Sequence, residues 1–149
     1  MKFAHFYPGQ ILEAGPYELT EPEVLVFARL YDPQWFHIDP ERAAQGPFGG
    51  LIASGWQTCS IAMRLAAQRW LEGSESYASP GVQHIKWPAP VRPGDRLSLR
   101  AEVISVRTSK SQPHLGILVW RWCLFNQDEV LVLDLEATSL FDLSQNAGA

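Results

Sequence analysis

The chain has 149 residues, 46% of them hydrophobic and 19% charged, which is the make-up of one globular domain with a substantial core. A net charge of -4 and a pI near 5.5 exclude a general nucleic-acid or membrane-surface binder, because either partner calls for a basic face. No apolar run approaches the ~18 residues of a membrane span, and the start from Met1 to Gly9 has no signal-peptide core, so a cytoplasmic protein is expected.

Pro8 to Pro16 is rich in Pro and Gly and reads as turns around short extended pieces. Thr20 and Glu23 then form a capping box, with Pro22 in the first turn, where its missing N–H is harmless. Val24, Leu25, Phe27, Ala28 and Tyr31 follow at helical spacing. Pro33 disfavours the α conformation at Asp32, so this helix should stop there and pass the carboxylate to a loop. Asp39 as cap, Pro40 at the first helical position and Glu41 near the positive end of the dipole signal a second, short helix that ends at Gly46-Pro47. Gly49-Gly50 precedes the longest helical signal. There Ser54 and Gln57 form another capping box, and the helix continues through Ala62, Met63, Leu65, Ala66 and Trp70 to Gly73. Apolar residues occupy most of its circumference, so something must wrap it.

After Ser79 the pattern is that of strands, at Val82 to Trp87, Arg96 to Val106, Leu115 to Phe125 and Val130 to Leu140. Turns fall at Pro93-Gly94-Asp95 and at Asn126-Gln127-Asp128-Glu129. Short connections imply an antiparallel sheet with one face on the long helix, an α+β domain. Cys59 and Cys123 stand in apolar stretches without metal-ligand spacing and read as small buried hydrophobes; no metal site is expected.

Asp32-Pro-Gln-Trp-Phe-His37 places a carboxylate and an imidazole a few residues apart. The spacing alone leaves two readings open, since Asp before Pro is often a turn starter and a His between Phe and Ile is often a satisfied, half-buried ring. Gly55, first residue after the Ser54 cap, offers an N–H with no acceptor inside its own helix, at the positive end of the dipole. A glycine there would equally serve a close approach of a strand. Trp56, Trp87, Trp120 and Trp122 read as core and interface residues, with Trp56, next to Gly55, also placed to line a pocket, and His5, His84 and His114 read as surface or sheet positions.

Asp32-Pro-Gln-Trp-Phe-His37-Ile-Asp39-Pro40, with an Ala pair at 43 and 44, resembles the hydratase motif of the MaoC-like dehydratase family, which includes the (R)-specific enoyl-CoA hydratases. Phe27-Ala28, Gly50-Leu-Ile-Ala-Ser-Gly55 and Pro90-Val-Arg-Pro-Gly-Asp95-Arg-Leu97 agree in the family's order, so the resemblance runs from about Gly9 to about Phe141. It implies a single hot dog domain over residues 1–149, an antiparallel sheet curled round one long central helix, in agreement with the pattern reading. It also implies a homodimer, and Leu115 to Phe125 is apolar enough to need cover if it forms a sheet edge.

The implied reaction adds water to a trans-2-enoyl-CoA to give an (R)-3-hydroxyacyl-CoA, or runs in reverse. Asp32 and His37 would hold the water, Gly55 would meet the enolate oxygen, and Gln34, Ser54 and Trp56 would contact substrate. Coenzyme A enters as part of the substrate, and no other cofactor is implied. Arg42, Lys86, Arg92 and Arg107 are the basic side chains available to its phosphates. The chain departs from the family at Gln34, where Asn is frequent, at the bulkier Trp35 and Phe36, and at Ser54, where many hydratases carry His. Two other functions suit the same fold: an acyl-CoA thioesterase, and a non-catalytic acyl-thioester-binding subunit of a heteromeric hydratase.

Overall fold

Alternation of apolar and polar residues in the C-terminal half builds the frame on which everything else is hung. The computed structural model describes residues 1–144; the last five residues of the expected domain lie outside the described residues. Five strands, β1 (Ile11–Glu18), β2 (Ser76–Lys86), β3 (Arg96–Thr108), β4 (Leu115–Phe125) and β5 (Leu131–Asp142), form one sheet in the order β1-β3-β4-β5-β2. Every pairing is antiparallel. Four helices stand between β1 and β2: α1 (Glu21–Tyr31), α2 (Trp35–Ile38), α3 (Pro40–Ala44) and α4 (Gly55–Ala66). The last turn of α4 widens to π geometry over Ala67–Leu71, and Gly73, at φ 67°, ends the helical run.

The period of two puts Leu97, Leu99, Ala101 and Val103 of β3 and Leu118, Trp120, Trp122 and Leu124 of β4 on one face of the sheet. That face closes on Ile61, Ala62, Leu65 and Ala66 of α4 and on Trp70, all buried, which is the expected hot dog arrangement. Trp120 is fully buried, its indole N–H donates to Ser139 Oγ at 3.2 Å, and the rings of Phe6 and Trp122 meet it edge-on. On the opposite face Arg121 of β4 makes two hydrogen bonds to Asp134 of β5, at 3.0 and 2.8 Å, and His84 of β2 meets the same carboxylate at 3.0 Å. The Arg121 hydrogen bonds, ahead of His84, hold Asp134 far below the usual carboxylate range.

Several expectations are altered. The Pro- and Gly-rich N-terminal stretch contains a full strand, β1, because its irregularity is confined to a register shift between Ala14 and Tyr17. Gly15 sits there at φ 106°, and a Cβ on it would stand 2.9 Å from the Leu97 carbonyl, so only glycine fits. β2 begins at Ser76 rather than Val82 and carries Pro80 and Gly81 inside it. Its edge position tolerates a residue with no donor, and its pairing with β5 shifts register three times. Leu115 to Phe125 is not an edge: as β4 it is the central strand, and its apolar face is spent on the core. The two edges are β1 and β2. Among the described residues no helix is long and apolar enough to cross a membrane, and no three His, Cys, Asp or Glu side chains converge as a metal site.

The turn before β3 is pinned by Asp95. Pro93 and the positive φ of Gly94 close it through Asp95 N–H to the Arg92 carbonyl at 3.0 Å. The buried Asp95 side chain accepts from Arg92 N–H at 2.9 Å and from Gln127 Nε2 at 3.0 Å, which joins this turn to the β4–β5 turn. Asp95→Ala leaves those donors without a partner and is expected to lower stability by about 1–3 kcal/mol in urea unfolding; an unchanged midpoint would show that the turn is held otherwise.

Candidate active site

Asp32 stands at the end of α1, its N–H donating to the Ala28 carbonyl at 2.8 Å and its φ of -150° taken outside the helical region as Pro33 requires. The loop expected from the sequence is present but short, spanning residues 32–34 only. After it the chain forms α2, a single helical turn, whose closure by His37 N–H on the Gln34 carbonyl at 2.9 Å swings the imidazole back to the carboxylate. His37 Nε2 lies 3.2 Å from Asp32 Oδ2. Nδ1 lies 2.6 Å from the Ile52 carbonyl, which can only accept, so the Nδ1 proton is fixed there and Nε2 is the nitrogen turned to Asp32. The His37 ring is buried, whereas the Asp32 side chain keeps 16% of its surface open.

Two further donors converge on this carboxylate. Ser54 Oγ donates to Oδ2 at 2.7 Å and Gln34 Nε2 to Oδ1 at 2.7 Å. Burial pushes the Asp32 carboxyl up, but the hydrogen bonds from Ser54 and Gln34 and the adjacent His37 outweigh it, so its pKa falls below the ordinary value. Ser54 also caps α4, accepting from Trp56 N–H at 3.3 Å. The second half of the expected capping box is not made: Gln57 turns away and donates from Nε2 to the Glu23 carbonyl at 3.0 Å. α4 is thereby docked on α1. By contrast the Thr20–Glu23 box forms in both directions, and Asp39 caps α3 by accepting from Arg42 N–H at 3.0 Å.

His37 borders a cavity of about 270 Å³ whose walls include Phe48, Ile52, Gly55, Thr58, Trp87 and the chain from Pro88 to Val91. Gly55 is the first residue of α4, so its N–H has no acceptor within the helix and stands at the positive end of the dipole, on the cavity wall. Its lack of a side chain has a separate cause: a Cβ there would lie 2.4 Å from the Trp87 ring. Trp87, not Trp56, is the tryptophan of this wall; Trp56 is 57% exposed and touches the Trp87 ring edge-on at 5.4 Å. Rotation about α4 decides this, since residue 56 is turned about 100° from residue 55. Trp35 is likewise drawn away from the cavity, packed on Gly46 with Arg42 stacked 4.6 Å over its ring. Of the basic residues, Lys86 and Arg92 flank the Trp87–Val91 wall in sequence, while Arg42 is held by Trp35 and Arg107 lies near the far end of β3.

Comparison with known proteins bears on the family and the fold. The sequence profile of the MaoC like domain matches residues 5–118. The uncharacterized protein YdeM of Bacillus subtilis (strain 168) is 33% identical over 94% of this chain and 98% of its own length. The 3-hydroxyacyl-thioester dehydratase Z of Mycobacterium tuberculosis (strain ATCC 25618 / H37Rv) is 39% identical over 59% of this chain and 60% of its own. Among solved structures, the MaoC-like dehydratase from Rhodospirillum rubrum superposes with a TM-score of 0.86 at 32% identity, covering 93% of this chain and 94% of that one. The (R)-hydratase from A. caviae involved in PHA biosynthesis superposes at 0.75 with 27% identity, covering 91% and 96%. With its profile matched over most of its length, and with the fold and the Asp32–His37 arrangement in place, the chain belongs to the MaoC-like dehydratase family.

Proposed function

We propose that this protein adds water to trans-2-enoyl thioesters of coenzyme A to give (R)-3-hydroxyacyl thioesters, or catalyses the reverse. The observation that carries the proposal is the 3.2 Å approach of His37 Nε2 to Asp32 Oδ2 beside an apolar cavity that the Gly55 N–H also borders. A water in contact with both groups gives a proton to the pair as its oxygen attacks C3. The pair returns that proton to C2, so one water is added and the catalyst is restored. Between these steps the thioester oxygen carries negative charge, and the Gly55 N–H with the α4 dipole behind it meets that charge as it develops. Ser54 and Gln34 keep Asp32 ionised and aimed; in this arrangement they act through Asp32. The similarities to a 3-hydroxyacyl-thioester dehydratase and to an (R)-hydratase support the reading.

The same reading includes a homodimer. The edge strand β2 leaves Tyr77 and Val82 exposed, and Trp56, Met63 and Trp87 are exposed nearby on or against α4. A second copy covering them completes both an unpaired edge and the apolar circumference of α4. Light scattering at micromolar concentration is expected to give twice the chain mass, and a monomer there would refute the assembly.

Asp32→Asn and His37→Gln are each expected to lower hydration of crotonyl-CoA by roughly 10²- to 10⁴-fold with the fold retained, and the double variant should lose little more than the worse single. The assay follows loss of the conjugated absorbance with a thiol reagent present. Thiol release in step with absorbance loss would indicate a thioesterase, and full activity in either single variant would remove the pair from the mechanism.

The pH dependence has a definite sign. Because the folded-state pKa of Asp32 is depressed, the stability and activity that need its carboxylate are present above the ordinary carboxylate range and are lost as pH falls through the depressed value. Ser54→Ala removes a donor to the carboxylate and the cap of α4. The ¹³C resonance of the Asp32 carboxyl should then titrate at higher pH, with a stability loss of about 1 kcal/mol from the cap. An unmoved titration would show that Ser54 serves α4 alone.

A further inference from the structure

A second apolar cavity, of about 330 Å³, lies between α4 and the β2–β5 side of the sheet, with Cys59, Met63, Leu71, Ile85, Trp122 and Ala137 in its walls. The two cavities follow one another along the same two elements. On α4, Gly55 and Thr58 face the first and Cys59 and Met63 the second. Along β2 and just past its end, Ile85 faces the second and Trp87 the first, two residues apart and so on one side of the chain. The side chain at the junction is the indole of Trp87. It lies flat on Gly55, where no Cβ could fit, one helical turn ahead of the Cys59 that lines the second cavity, and its ring is braced by the edge of Trp56.

We propose that Trp87 is the specificity-determining residue for acyl-chain length: it closes the passage from the catalytic cavity into the second one and so confines the enoyl thioester to short chains. The proposal rests on the hydratase reading and deepens it by naming the substrate class. The chain enters past His37 with its thioester oxygen at Gly55, and the carbons beyond C3 run toward the Trp87 ring. With the indole present those carbons meet a wall at the first cavity. Without it they continue into walls made of Met63, Leu71, Ile85 and Ala137, which favour methylenes and offer little to a polar group. The glycine at 55 supports the same assignment, because any side chain there would push the indole off its seat and open the passage.

The test compares the wild type with Trp87→Ala and Trp87→Phe on crotonyl-CoA, trans-2-octenoyl-CoA and trans-2-dodecenoyl-CoA. Each methylene admitted to an apolar wall is worth about four-fold in kcat/KM. The octenoyl-to-crotonyl ratio should therefore rise on the order of ten- to a hundred-fold in Trp87→Ala and less in Trp87→Phe. Adding Ala137→Leu to Trp87→Ala, which narrows the second cavity, should return the ratio toward the wild-type value. Calorimetric affinities for butyryl-CoA and octanoyl-CoA give the same comparison without turnover. A shift in those affinities with no hydration of crotonyl-CoA by the wild type would leave the Trp87 assignment standing and overturn the hydratase reading. Hydration of crotonyl-CoA with ratios that do not move in either Trp87 variant would overturn the assignment alone, as would a wild type that already prefers dodecenoyl-CoA.

Discussion

Three groups from three stretches of chain converge on the Asp32 carboxylate, and the geometry of the site follows from satisfying it. Gln34 comes from the turn that Pro33 forces, His37 from the single turn of α2, and Ser54 from the start of α4. With fewer donors, burial would push this carboxyl upward and weaken its hold on these pieces. With these donors it stays ionised and fixes both the rotation of the imidazole and the start of the long helix. The Nδ1 bond to the Ile52 carbonyl completes the arrangement by choosing which nitrogen faces the chemistry.

The sheet supplies rigidity to this local assembly rather than any reacting group. α4 is packed against β1, β3 and β5, so its N-terminal N–H and the Ser54 cap are presented from a buried, well-packed element. The residues that line the cavity opposite come from the segment between β2 and β3, which the Asp95 turn anchors. An apolar wall beside the Asp32 carboxylate has a physical consequence, because in the proposed reaction charge developing on the substrate would be stabilised by the few fixed dipoles pointed at it and by little else.

Much of this was legible in the sequence, for identifiable reasons. The caps at Thr20 and Asp39, the stop at Asp32 and the strands β3 to β5 depend on local chemistry or strict alternation, and they appear as read. Only four residues lie between Asp32 and His37, yet their spacing alone left a structural reading open, and it was the family resemblance that pointed to their pairing. The contact from Ser54 to Asp32 spans 22 positions, and no local rule points to it. β1 and the first half of β2 were obscured by Gly15-Pro16 and Pro80-Gly81, which mark irregular pairing inside strands here and not their ends. The exchange of Trp56 for Trp87 in the cavity wall depended on helix rotation and on a neighbour that only the folded sheet supplies.

The central claim is that one pair, Asp32 and His37, both takes a proton from the attacking water and returns it to C2, from one side of the substrate. The stereochemistry of addition tests this most directly. Crotonyl-CoA hydrated in D₂O and analysed by proton NMR should give a product with a single deuterium at C2, placed on the same face as the new hydroxyl at C3. Addition to opposite faces, or deuterium scrambled between the two C2 positions, would contradict the account.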